Sequence, residues 1–243
     1  MKSLCVDGDE EKHLQKLIDL IKSKDMDGGE AWSAFSAPAA SKTFKRGEAD
    51  SRTFDFSPVE RATYKNVRQR VQNHLFNKCA GSCAYCRRPV GHYGWAWHIE
   101  HVLPKSKHSS LTFSLDNLTV GCVHCNQWKG ARIDRYLVGK ILPIINPSLP
   151  GFIYSAHLTY VQISTDSLSF AKYSHCSPEG AETYKELSFE MLERSYAING
   201  MHPPLASLHE KIERAIGVGL SAVEGQGLAE LLFELKQSIY KLN

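Results

Sequence analysis

Two C-x-x-C pairs constrain this chain more than any other feature: Cys83 and Cys86 in "CAYC", and Cys122 and Cys125 in "CVHC". Thiolates two residues apart on a tight knuckle can both face one ion, and two knuckles supply the tetrahedral sulfur set that zinc favours. Any fold of the intervening residues must therefore return position 122 to position 83. Four sulfurs close the coordination sphere, so the predicted Zn²⁺ is structural and holds no reacting water. Cys79, in "CAGSCAYC", is an alternative to Cys83, with the tighter pair preferred; His124 could replace a sulfur, but two intact pairs make that unnecessary. Cys5 and Cys176 have no nearby partner in sequence and read as small apolar residues. The plain alternative is four thiols without metal.

Between the knuckles lies "WAWHIEHVLPKSKHSSLTFSLDNLTVGCVHCNQWKGAR", which carries His98, Glu100, His101, Asn117 and Asn126. Hydrolysis of a phosphodiester needs a water relieved of its proton and a cation on the charge that develops. A neutral histidine is the side chain suited to take that proton near neutral pH, which makes His101 the candidate general base. Hard divalent cations prefer oxygen, and Glu100 with the amide oxygen of Asn126 could hold a catalytic Mg²⁺, with Mn²⁺ as a substitute. On a strand, His98 faces the same side as Glu100, toward the metal or a phosphate. Lys129, Arg132 and Arg135 are expected to meet phosphate, the alternative being a solvated helix face. Asn117 and Asn126 could equally be turn residues; their weight comes from their spacing.

These elements together, the Glu100-His101 pair, "LDNL" around Asn117, "C-x-x-C-N" ending at Asn126 and the trailing Lys129-Gly130, resemble the HNH endonuclease motif, the ββα-metal fold, from about Cys83 to Arg132. The resemblance implies an acidic residue and histidine on one strand, a middle asparagine fixing the histidine ring through neighbouring backbone, and a metal held by positions 100 and 126. Catalytic residues would be His101, Glu100, Asn117 and Asn126; His98, Lys129 and Arg132 would bind substrate. Glu100 stands where aspartate is more usual, and Asn126 where other members carry histidine.

Outside the motif, "DEEKHLQKLIDLIKSKD" spaces Leu14, Leu17, Ile18 and Ile21 as an amphipathic helix. The Gly-, Ala- and Ser-rich "GGEAWSAFSAPAASKTFKRGEADSRTF" reads as loop or linker. A second helix opens with Ser57 as N-cap, Pro58 at the first turn and Glu60 completing a capping box, with Tyr64, Val67, Val71 and Leu75 as its buried stripe. From Arg61 to Arg88 there are seven basic residues (Arg61, Lys65, Arg68, Arg70, Lys78, Arg87, Arg88) and no acidic one, which outweighs the mild net charge of +3 as a sign of an anionic partner. "HLTYVQISTDSLSF" reads as a β-hairpin turning near Thr165 and Asp166, followed by helices over 181–198, 203–216 and 227–242. Trp95, Trp97 and Trp128 read as packing residues around a small metal-stapled core, the alternative being that one stacks on an unpaired base.

The fold expected is α+β: a zinc-stapled ββα-metal core flanked by helices and a β-hairpin. Residues 1–56 would form an N-terminal helix and linker available for docking, 57–140 the nuclease core, and 141–243 the hairpin and helical region. No apolar run approaches the roughly 20 residues of a membrane span, and the N-terminus lacks a signal-peptide core. The expectation is a cytoplasmic chain, where seven cysteines are not a disulfide framework.

The basic lead-in helix, "INPSLPGF", "HLTYVQ" and "EMLERSYAIN" are similar to PtuB-type HNH proteins. That wider resemblance implies an effector of anti-phage defence, of the Septu or retron-associated kind, partnered by a PtuA-type ABC/SMC-like ATPase and in retron systems by a reverse transcriptase and its small DNA. The activity expected is metal-dependent hydrolysis of DNA or RNA phosphodiesters. The competing expectation is a non-catalytic zinc module that binds nucleic acid or protein.

Overall fold

The computed structural model describes residues 1–46, 51–92, 94–133, 141–164 and 169–194. The predicted helices over 203–216 and 227–242, the hairpin tip at 165–168 and Arg135 lie outside these residues. The chain divides into one unit of Met1–Leu142 with Asn146–Phe152, and a second of Pro143–Ile145 with Ile153–Asn243.

In the first unit, α1 (Gly8–Lys22) starts where Asp7 accepts the Glu10 N–H, and it buries Leu14 and Leu17. Helix α3 (Pro58–Lys78) has the predicted reciprocal capping box between Ser57 and Glu60, with Pro58 in the first turn. Its stripe of Tyr64, Val67, Val71 and Leu75 is fully buried, and α1 packs against α3. Not all of its basic flank faces solvent. Arg70 pairs with Glu10 and donates through Nε to the Leu4 carbonyl at 2.7 Å, whereas Lys65 is exposed.

The stretch expected to be loop between these helices is folded. Helix α2 (Gly28–Ser36) begins with a second capping box, Asp27 with Glu30, and buries Ala31, Ala34 and Phe35 against α3. Strands β1 (Ser41–Lys45) and β2 (Ser51–Asp55) then pair antiparallel, Thr43 opposite Thr53. Small core residues in α2 and polar residues on both strands give little hydrophobic periodicity, which is why composition read as loop.

Strands β3 (Trp97–His101) and β4 (Leu118–Cys122) form an antiparallel pair in which His98 faces Gly121, Glu100 faces Thr119 and His101 faces Leu118. Every residue of β4 is buried. Helix α4 (Val123–Trp128) follows directly and runs into a π-helical turn over Lys129–Ile133. The C-terminus of α3 reaches this layer through Cys79, whose Sγ lies 3.5 Å from Thr119 Oγ1.

In the second unit, β5 (Leu158–Ser164) and β6 (Ser169–His175) form the predicted hairpin. The single helix expected over 181–198 is instead two, α5 (Pro178–Glu186) and α6 (Phe189–Arg194), separated at Ser188 where φ is +50°. Leu158, Tyr173, Leu187, Phe189 and Leu192 form its core. No described helix is long and apolar enough to cross a membrane.

Candidate active site

The first knuckle follows α3. Ala80 and Gly81 turn the chain with φ of +50° and +64°, Cys83 N–H donates to the Arg88 carbonyl, and Arg87 N–H donates to the Cys83 carbonyl. The second knuckle joins β4 to α4, with Cys122 as the N-cap whose sulfur accepts the Cys125 N–H at 3.5 Å. Ala84 N–H donates to the Val120 carbonyl at 2.9 Å and ties the two together.

The ligand atoms of Cys83, Cys86, Cys122 and Cys125 all lie within 4.8 Å of one another, and all four residues are buried. Zinc–sulfur bonds of ~2.3 Å set tetrahedral sulfurs ~3.8 Å apart. Cys86 and Cys122 Sγ are separated by 3.7 Å, so the set fits a structural zinc. Cys79 Sγ lies 3.5 Å from Thr119 Oγ1 and outside this set, which favours Cys83 over Cys79, and His124 is not part of it.

Strand β3 runs from the knuckles into the candidate cluster. His101 is buried, and its Nε2 lies 3.0 Å from the Thr112 carbonyl. A carbonyl only accepts, so Nε2 carries the proton and the neutral ring holds its lone pair at Nδ1. Burial, then the charge of Lys105, pushes this imidazole down to about 3, the Thr112 bond opposing and Lys129 adding to the shift. The ring is therefore neutral throughout the physiological range.

Asn117 is buried immediately before β4. Its Oδ1 accepts the Leu103 N–H at 2.8 Å, and its Nδ2 donates to the carbonyls of Leu103 at 3.0 Å and Leu111 at 3.4 Å. It thereby closes the loop that brings Thr112, next to Leu111, to His101.

Glu100 and Asn126 both border Gly121. A Cβ added at Gly121 would lie 3.0 Å from the Glu100 Cβ and 3.8 Å from the Asn126 Cβ, so the missing side chain leaves room for both. Asn126 Nδ2 lies 2.9 Å from His98 Nδ1, placing His98 beside the pair at an exposed edge. Lys129 is not on a solvated face. It is 1% exposed, and its ammonium donates to Glu100 Oε1 at 2.8 Å and to the His101 carbonyl at 2.9 Å. The side chain of Arg132 lies outside the described residues.

Residues 83–132 match the HNH endonuclease family model. No curated protein and no solved structure matches the chain. The HNH match covers both knuckles and everything between them, and none of the helices before or after. It indicates a nucleic-acid substrate and a metal-dependent nuclease type of chemistry.

Three neighbours of the HNH cluster escape a reading of sequence alone. Trp32, on α2, sets its ring 4.5 Å from that of His101 at 85°, an edge-on contact from a segment outside the family match. Gly28 permits that approach, since a Cβ there would lie 2.4 Å from the Lys105 carbonyl oxygen and 2.5 Å from Thr112 Oγ1. Arg88, the last member of the basic run, is buried with Nη2 3.6 Å from Cys122 Sγ. The signal for α2 was present in the capping-box spacing of Asp27 and Glu30; nothing local marks the contact of Trp32 with His101.

Proposed function

We propose that this chain is an HNH endonuclease that hydrolyses phosphodiester bonds, with His101 as general base. The observation that carries the reading is the orientation of His101: Nε2 is committed to the Thr112 carbonyl, which leaves Nδ1 as the proton acceptor, on a strand whose preceding residue Glu100 borders Gly121, as Asn126 does. Water attacks phosphorus as Nδ1 takes its proton, and the bond to the leaving sugar oxygen breaks, that oxygen gaining a proton from solvent. An approaching phosphate brings negative charge toward the ring and raises its basicity from the depressed resting state.

Glu100 and the Asn126 amide oxygen are a hard donor pair suited to Mg²⁺ or Mn²⁺, which when bound would neutralise charge on the phosphate. Asn117 shapes the loop that aims His101. His98 borders the open side and is placed to contact phosphate. Lys129 acts from within, holding Glu100, and this differs from the phosphate contact suggested by sequence.

The resemblance of the regions after Ser57 to PtuB-type proteins supports a role as the effector of an anti-phage system, docked to an ABC/SMC-like ATPase. A retron reverse transcriptase and its small DNA are further partners that this resemblance suggests. Co-purification with a PtuA-type ATPase tests that assignment separately from catalysis.

One observation favours the second reading, a non-catalytic zinc module: Glu100 already has a cationic partner in Lys129. The experiment that decides is cleavage of DNA and RNA with added Mg²⁺ or Mn²⁺, alongside zinc analysis. The nuclease reading expects Glu100→Ala and Asn126→Ala to keep zinc and lose cutting, and Cys122→Ser to lose zinc. Full cutting by both oxygen-donor variants would overturn it.

A further inference from the structure

We propose that Arg88 is the built-in counter-cation of the four-cysteine site, reaching from the first knuckle to the sulfur of the second. Arg88 is 2% exposed, and the four cysteines that it borders are fully buried. Among the described residues no carboxylate pairs with it. Its described polar side-chain partner is a sulfur: Nη2 lies 3.6 Å from Cys122 Sγ. Its outer face is covered by the Trp95 ring, 4.5 Å from the guanidinium carbon.

A guanidinium taken out of water without an anion is strongly unfavourable. Neutral thiols would not offset that cost, because a thiol is a weak acceptor. Thiolates would, and four thiolates around one Zn²⁺ retain two negative charges in the interior. Each half of the arrangement therefore accounts for the other: the sulfurs give the buried cation an anion, and the cation reduces the net charge that the core must hold. Arg88 also carries the backbone carbonyl that accepts the Cys83 N–H, so one residue shapes its own knuckle and bonds the opposite one. Trp95 keeps water from the guanidinium, which strengthens the sulfur contact while adding a cation–π contact of its own.

The proposal rests on the cysteines holding zinc and is independent of cleavage. Its test uses the full chain with zinc bound, in wild type, Arg88→Gln and Arg88→Lys, titrated with a chromogenic chelator of known affinity. Loss of such an outer partner typically weakens metal affinity by about 10–100-fold. Arg88→Gln should show that loss, and Arg88→Lys, which keeps the charge, should recover most of it. In cobalt-substituted protein, the thiolate-to-cobalt charge-transfer band should move to lower energy in Arg88→Gln and much less in Arg88→Lys, a shift that lost packing alone would not produce.

Unchanged affinity with an unmoved band in Arg88→Gln would overturn the proposal. So would equal weakening in both variants, which would mark Arg88 as a shape requirement. If Arg88→Gln retains no metal at all, Arg88→Lys decides: retention supports the counter-cation, loss refutes it. A wild-type chain without zinc would instead remove the metal assignment itself, and this proposal with it, leaving the His101 reading to its own assay.

Discussion

Replacing Lys129 by Met removes an ammonium from the interior while keeping much of the side chain's volume. The Lys129 side chain is 2% exposed and that of Glu100 is 11%, with 2.8 Å between Nζ and Oε1. Removing one partner of a buried pair costs about 3–5 kcal/mol, because the remaining charge is left uncompensated. Glu100 keeps slight access to water, so the lower end, about 3 kcal/mol, is expected. Replacing Glu100 by Gln in the Lys129→Met background should return about 2 kcal/mol, since no buried charge then remains. Urea unfolding followed by tryptophan fluorescence is the assay, and it reports the first unit alone: Trp32, Trp95, Trp97 and Trp128 are the chain's four tryptophans and all lie within Met1–Leu142. At a urea dependence of ~1–3 kcal/mol per molar, the single variant should lower the midpoint by about 1–3 M. A loss below about 1 kcal/mol, or no recovery in the double variant, would refute the buried pair and return Lys129 to a surface role.

The folded pKa of His101, about 3, lies below the 6.5 of the free ring, so the unfolded chain takes up this proton first as pH falls. Its contribution is fully present above pH 6.5 and lost toward pH 3; stability relative to His101→Asn should fall by about 2–3 kcal/mol between pH 7 and pH 4 in matched unfolding curves. Gly121→Ala puts a methyl 3.0 Å from the Glu100 Cβ. It should destabilise by about 1–3 kcal/mol and separate Glu100 from Asn126, so that cleavage falls more than the amount of folded protein in the same preparation. Stripping zinc with a strong chelator, or Cys122→Ser, should abolish the fixed tertiary signal of residues 83–132 in near-ultraviolet dichroism while the hairpin unit keeps its far-ultraviolet spectrum.

The parts legible in sequence were those whose cause is local. C-x-x-C spacing dictates a knuckle whatever surrounds it, the Ser57-Pro58-Glu60 cap starts α3 by itself, and the i, i+3, i+4 stripe of Tyr64, Val67, Val71 and Leu75 identifies its buried face. Elements fixed by distant partners were not legible. Lys129 carries the spacing of an exposed helical cation, but its carboxylate is 29 residues earlier, on the neighbouring strand. Arg88 looks like one more member of a basic run until the fold brings Cys122 to it. Helix α2 is short and built on Ala, Ser and Gly, so its periodicity is weak, and the packing of its Trp32 on His101 depends on a strand 69 positions away. Motif spacing alone points to His98, Glu100, His101, Asn117 and Asn126 as a group. Their individual contacts, especially the clamp of Asn117 on Leu103, exist only in three dimensions.

The central claim is that His101 accepts the proton of the attacking water, and single-turnover cleavage by His101→Ala tests it most directly. Run beside wild type with the better of Mg²⁺ and Mn²⁺, and with zinc content and nucleic-acid binding measured on the same samples, the variant should lose at least about 10²-fold in rate while keeping its zinc and its binding. Cleavage at the wild-type rate by a folded, zinc-loaded His101→Ala chain would contradict the account.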